Sequence, residues 1–409
     1  MPLLQKFRLP HLRSAGKESR SLRPSQDIFV ERRTATTSKM LQRVAHLTSV
    51  HPVFDIRIFH KECKTLAAAG YDVTLIAPHT REECIGGIRI EPVPSTGSRR
   101  RRMTDTVWQV YRKALRSKAK LFHFHDPELL PVGILLKLAG KRVVYDAHEH
   151  VADDILTKSW IRPQLRGFIS MSARMVEKIT SRVVDAVVGA TPAIVNNFPP
   201  RKTVLVQNFP ILGELICEDP VPYERREAVL LYVGSITEAR GVREMVCAAT
   251  RNPDRLNAKL LLVGNVSSAS LESEMAACGA GKVEHLGFLD RQTVARLAGR
   301  ARAGLVLFHP GPNHEDSQPN KLFEYMSAGL PVVVSNFQSW RALIDDVGCG
   351  LTVNPLNVTE IANALTWILD HPTEAAAMGK RGQTAVASTY NWGTQVHNLL
   401  GLYEGLLRP

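Results

Sequence analysis

The chain has 409 residues, 44% of them hydrophobic and 22% charged, with a formal net charge of +13. That length fits two domains of ordinary size with some chain to spare, and the proportions are those of a globular protein rather than a disordered or fibrous one. The longest apolar runs, such as Ala228–Val233, are strand-length and fall far short of the ~20 residues that span a bilayer.

Residues 1–39 carry nine Lys or Arg against three acids, so nearly half of the charge excess sits there. With few bulky apolar residues and no sustained periodicity, this leader cannot bury enough surface to offset its ordering entropy. It reads either as an artefact of start-codon choice or as a basic tail that touches an anionic membrane. The six cysteines are scattered, without a C-x-x-C pair or a signal peptide ahead of them, and no His/Cys grouping has metal-finger spacing. Reduced thiols and a cytoplasmic location, with peripheral contact at the inner membrane face as an option, are expected.

From Met40 onward strands and helices alternate, the pattern of a parallel sheet covered on both faces. Gln42–Thr48 reads as the first strand. The polar turn His51–Asp55 leads into a helix whose Phe59, Cys63 and Leu66 recur at i, i+4, i+7, closed by Gly70. Asp72–Ala77, Leu121–His125 and Arg142–Tyr145 read as further strands. The basic run Arg99–Arg102, with Arg112, Lys113 and Arg116 around Trp108 and Tyr111, reads as a basic surface helix. Its aromatics do not interleave with the charges as base-stacking platforms do, so nucleic acid is not an expected partner. Pro-rich Asn208–Glu227 interrupts the periodicity and reads as a linker. Alternation then resumes, with strands at Ala228–Val233, Lys259–Val263, Val283–Leu286, Ala303–Phe308 and Pro331–Ser335. The expected fold class is α/β, two Rossmann-like domains, 40–207 and 208–385, facing a central cleft, followed by a helical tail in 386–409.

Three segments carry chemistry. In Asp316-Ser317-Gln318-Pro319-Asn320-Lys321-Leu322-Phe323-Glu324, a loop after a strand starts a short helix that Gly329 stops. Free N–H groups of a first helical turn and the helix dipole suit an anionic group such as a diphosphate. Gln318, Asn320 and Lys321 are therefore candidates to hold it, and Glu324 can offer its carboxylate to vicinal hydroxyls. The loop Val233-Gly234-Ser235-Ile236-Thr237-Glu238-Ala239-Arg240 faces the same cleft. His123-Phe124-His125-Asp126-Pro127-Glu128 ends a strand of the first domain. Its two acids mimic an acid-x-acid metal motif, but a rigid Pro between them suits a cap. Tyr145–Glu149 ends another strand on the acceptor side. Gly264-Asn265 and Gly287-Phe288 follow strands and are placed to approach a base.

These segments resemble the family 4 retaining glycosyltransferases of the GT-B fold over about residues 41–405, through an acid-x7-Glu element followed by Ala-Gly-Leu-Pro-Val-Val. The resemblance implies that Glu324 holds the donor ribose, that Asp316 stands where the family has a Glu on the donor sugar, and that His125 touches the sugar near its anomeric carbon. It also implies that Ser235 and Arg240 stand where the family has the Arg and Lys that grip the donor diphosphate, that 40–207 is the acceptor-side domain and 208–385 the nucleotide-sugar-binding one, and that the helix in 386–409 crosses back to the first domain. The implied activity is metal-independent hexosyl transfer with retention, from a UDP- or GDP-linked sugar to a glycan or lipid-linked acceptor in polysaccharide biosynthesis. The nucleotide sugar is a co-substrate and no cofactor is called for. An epimerase or hydrolase on the same scaffold, or a non-catalytic nucleotide-sugar-binding protein, would use the same donor cleft.

Overall fold

In a computed structural model of the chain, residues 42–158, 160–250, 258–279 and 281–408 are described. The leader, 1–39, lies outside the described residues. Residues Leu41–Pro409 form one compact unit.

Runs of three to seven residues, most of them β-branched or aliphatic and separated by Gly or polar turns, make two open sheets. The first contains β1 (Arg43–Leu47), β2 (Asp72–Pro78), β3 (Glu83–Ile85), β4 (Ile88–Val93), β5 (Leu121–Phe124), β6 (Arg142–Ala147), β7 (Ala186–Gly189) and β8 (Thr203–Leu205). Their spatial order is β3-β4-β2-β1-β5-β6-β7-β8. All pairs are parallel apart from β3 with β4. The second sheet contains β9 (Val229–Val233), β10 (Lys259–Val263), β11 (Val283–His285), β12 (Ala303–Val306), β13 (Val332–Ser335) and β14 (Gly350–Val353). It is wholly parallel in the order β11-β10-β9-β12-β13-β14. Strands buried on both faces, such as the Leu230-Leu231-Tyr232 centre of β9, are continuously apolar because helices cover both sides. Each sheet accordingly has a separate apolar cluster on either face.

Strand order reverses between β1 and β5 in the first sheet and between β9 and β12 in the second. In open α/β sheets ligands bind outside the carboxyl ends of the strands at such a switch point. The segments singled out from sequence follow β1, β5, β6, β9 and β12, so topology alone gathers most of them at the two switch points.

Two features link the halves. The segment 208–227 is anchored: Phe209 packs on Phe323 with ring centroids 4.8 Å apart, and the Tyr223 hydroxyl donates to the Arg302 carbonyl at 2.6 Å. The last helix, Trp392–Leu407, lays Trp392, Leu399 and Tyr403 into the same cluster as Val44 and Leu75 of the first sheet. Its entry is fixed by Trp392 Nε1 donating to Thr65 Oγ1 at 2.9 Å and by the Asn391 cap on Thr394.

Candidate active site

A cavity of about 650 Å³ lies between the two sheets' carboxyl ends. From the second half it is lined by Gly234, Arg240, Arg291, Gln318, Lys321 and Glu324, among others; from the first, by His51, Arg57, His148, Glu149 and His150.

The helix Asn320–Ser327 starts where the sequence places it, with extended Pro319 before it and Gly329 (φ +66°) after it. The preceding loop is held open by backbone contacts: Trp340 Nε1 donates to the Ser317 carbonyl at 2.7 Å and Ser339 Oγ to the Glu315 carbonyl at 3.0 Å. Lys321, on the first turn, is buried, its Nζ lying 4.0 Å from the centre of the Tyr232 ring. Among the described residues no hydrogen-bond partner reaches that Nζ. Burial, reinforced by the neighbouring Arg240 guanidinium, pushes its pKa well below the usual lysine range. Gly234, at φ +131°, makes room for it: a methyl group there would sit 2.7 Å from Lys321 Nζ and 3.5 Å from Arg240 Nη1. Two cations with a bare glycine backbone between them, at the switch point and beside a helix start, form a cradle that fits an anionic oxygen cluster.

Glu324, one turn further on, has its Oε1 3.1 Å from Arg291 Nη2, and Arg291 is also paired with Glu214. Arg291 begins the helix after the Gly287-Phe288 turn, capped by Asp290. Sequence reading missed it, and the only signal was its place directly after an N-cap. Gln318 lines the cavity while accepting from Gln207 Nε2 at 2.7 Å, a contact between the second half and the chain leaving β8. Ser235 is exposed, with its carbonyl held by the Tyr232 hydroxyl at 2.7 Å. Phe288 is 79% exposed on the turn after β11. Asp316 is exposed and is not among the residues lining the cavity, although His314 and Ser317 on either side are.

In the first half, the structure places His125 below the cavity rather than on its wall. The ring is 1% exposed and both nitrogens are engaged, Nδ1 with Asp146 Oδ2 and Nε2 with His46 Nδ1, each at 2.9 Å. It belongs to a buried network. Arg57 donates Nε and Nη2 to the two Asp146 oxygens, both at 2.8 Å, and lies 3.2 Å from Glu62 Oε1. The Tyr403 hydroxyl joins His46 and His123, so the crossing helix closes the network from below. Burial would raise Asp146, but the Arg57 guanidinium and the His125 hydrogen bond hold it well below the usual carboxylate range. Burial and then the Asp146 charge push Glu62 well above that range. Arg57 and Asp146 thus form the paired charges of this buried region, and Glu62 beside them is pushed toward its neutral form.

Of the imidazoles that reach the cavity from this half, His51 and His148 meet each other, their Nε2 atoms 3.2 Å apart. Burial lowers His148 to about 4. His51 moves the other way: burial opposes, but the Asp55 hydrogen bond and the Asp126 charge raise it. Asp126 and Glu128 do not face each other across a metal site. Asp126 Oδ2 accepts from Thr48 Oγ1 at 2.8 Å and Val50 N at 3.2 Å, pinning the turn after β1, and Glu128 is engaged by Arg102.

The two halves match separate family models. Residues 57–208 match the glycosyl transferase 4-like domain and residues 219–385 match glycosyl transferases group 1. With the fold, these matches make the chain a member of the GT-B glycosyltransferase superfamily. Among individual proteins it is similar to sucrose-phosphate synthase from Thermosynechococcus elongatus, with a TM-score of 0.72 at 21% identity over 89% of this chain and 99% of that one. It is also similar to HepE of Anabaena, solved with UDP and glucose, with a TM-score of 0.69 at 14% identity over 89% of this chain and all of that one. At these identities the likeness is one of fold. The glycogen synthase of Mycobacterium tuberculosis is 22% identical over 243 residues, which are 58% of this chain and about half of that protein's length, 53%.

Proposed function

We propose that the protein transfers a hexosyl group from a nucleoside-diphosphate sugar to a hydroxyl of a glycan or lipid-linked acceptor, with retention of anomeric configuration. The observation that carries this reading is the Lys321 ammonium, buried without a partner beside Arg240 over the glycine backbone of Gly234. A cation held desolvated in the free protein is costly unless a ligand anion completes it.

In this reading Lys321 and Arg240 take the donor diphosphate, with Gln318 and Asn320 at the helix start beside it. Glu324, oriented by Arg291, takes the ribose hydroxyls, and the turn carrying Phe288 takes the base. Ser235 offers its backbone to the phosphates rather than a charge. Asp316 is assigned to the donor sugar, which would have to draw its loop inward. As the glycosidic bond breaks, negative charge grows on the departing phosphate oxygen, where the two cations are already placed. That is stabilisation without reorganisation. The departing oxygen then takes the acceptor proton. His148 and His51 border the acceptor side, and His125 is a positioning residue that holds Asp146, and through it Arg57, beneath them. No metal is required by this scheme.

A thermal-shift panel of UDP-, GDP- and ADP-linked sugars tests donor binding, because a ligand that binds only the native state raises its stability. UDP-glucose is the first to try, given the UDP and glucose in the HepE complex. Release of nucleoside diphosphate only when acceptor is present, with product configuration read by NMR, tests transfer. An epimer formed from donor alone would replace this reading with the isomerase one.

A further inference from the structure

The helix Pro163–Val183 is inverted for a protein surface. Its buried residues are Ser170, Thr180 and Ser181. Its exposed ones include Phe168 (74%), Met171 (66%) and Met175 (64%), with Leu165, Val176 and Ile179 all more than 40% exposed. At about 100° of turn per residue these six side chains fall within an arc of roughly 140° on the face away from Ser170 and Ser181. Scattered exposed apolar residues are ordinary, whereas a stripe along about four turns is a surface that something covers.

The charges around the stripe identify the cover. Lys178 and Arg182 run along one border of the arc, with Arg174 beside them paired to Asp153 at 3.0 Å, and Arg162 and Arg166 lie near the other, with Glu177 the one acid in the helix. Trp160, just before the helix and 56% exposed, carries the Arg99 guanidinium 4.2 Å from its ring centre. The start of the Arg99–Arg102 run is thereby joined to the same face. A second copy of this chain would set these cations against themselves. An anionic bilayer would neutralise them while its acyl boundary takes up the Phe, Met and Leu side chains.

We propose that this face docks on the surface of a bilayer rich in anionic phospholipid, with the 163–183 helix lying in the interfacial plane. The helix Val151–Thr157 connects this face to the cavity. It packs on the 163–183 helix, where Ser170 Oγ donates to the Ala152 carbonyl at 2.7 Å, and it exposes Leu156. Its cap residue His150, with His148 and Glu149, lines the cavity. Docking in this way presents the acceptor edge of the cavity to a hydroxyl on a lipid held in that bilayer. The proposal does not depend on the donor reading, because neither Lys321 nor Glu324 takes part in it.

The test is flotation of the full chain with vesicles of phosphatidylcholine, with and without phosphatidylglycerol, beside light scattering without lipid. The wild type should float with the anionic vesicles only, and increasingly less with added salt. The triple variant Phe168→Asp, Met171→Asp, Met175→Asp should lose about a hundredfold in partitioning. Arg100→Glu with Arg101→Glu should lose roughly fivefold or more per cation removed. Residues 1–39 are present in every variant and cancel in the comparison. The substituted side chains are exposed, and an unchanged melting temperature verifies folding. Equal binding by the folded triple variant and wild type, or no wild-type binding to anionic vesicles, overturns the proposal. So does a wild-type dimer that the triple substitution dissociates, which would make a second copy the cover.

Discussion

Lys321→Met separates a binding residue from a structural one, because stability and affinity should move in opposite directions. Lys321 is 8% exposed, and its buried Nζ has no hydrogen-bond partner among the described residues. An unsatisfied buried polar group costs about 1–3 kcal/mol, and more when charged. Met fills nearly the same volume without the charge, and its sulfur would rest on the Tyr232 ring now under the Nζ. The free variant should therefore be more stable by about 1–3 kcal/mol, seen as a melting temperature raised by a few degrees. Affinity for a nucleoside diphosphate should fall, because a hydrogen bond to a charged group contributes about 1.5–3 kcal/mol, or roughly a 10- to 150-fold change in Kd. Differential scanning fluorimetry and calorimetry on the two proteins measure both quantities. A less stable variant that binds UDP, GDP and ADP as wild type does would show that Lys321 is a packing residue and that the cradle is not the diphosphate site.

Glu324→Ala should weaken donor binding by about 10- to 100-fold through loss of hydrogen bonds to the ribose, and a 2′-deoxynucleotide should not discriminate between variant and wild type. Because burial lowers the Lys321 pKa in the free protein and a diphosphate would raise it, binding should take up protons at a pH high enough for the free lysine to have begun losing its proton, while at lower pH the ammonium is charged throughout. At the higher pH the observed enthalpy should change with the ionisation enthalpy of the buffer, and an enthalpy independent of buffer there would contradict this. His125→Ala should lower turnover and melting temperature together, since Asp146 and His46 each lose a hydrogen bond at 2.9 Å. His148→Ala should lower turnover alone, and nucleoside-diphosphate affinity should be unchanged in both; a lost affinity would place those residues in the donor site. Excess chelator should leave activity intact, and activity restored by magnesium after its loss would show that a metal serves the diphosphate.

The sequence by itself determined the two α/β halves, the strand ends that carry chemistry, and the start of the helix at Asn320. These follow from local rules: apolar runs bounded by Gly and Pro, a period of 3.6, and N–H groups left free at a helix start. Tertiary structure decided which of the marked residues reach the cavity. His125 and His148 look alike in sequence, each a His at the end of a strand beside an acid. Yet packing puts the first beneath Asp146 and the second on the wall, because that depends on strand register and on the crossing helix that brings Tyr403 under His46. The unpartnered state of Lys321 was equally illegible, since it comes from Tyr232, Gly234 and Arg240 converging from β9 and its loop, about 80 residues away in the chain. The inverted helix at 163–183 shows the same limit. Periodicity alone does not say which way an apolar stripe points, and only the packing shows that this one faces outward while Ser170, Thr180 and Ser181 are buried.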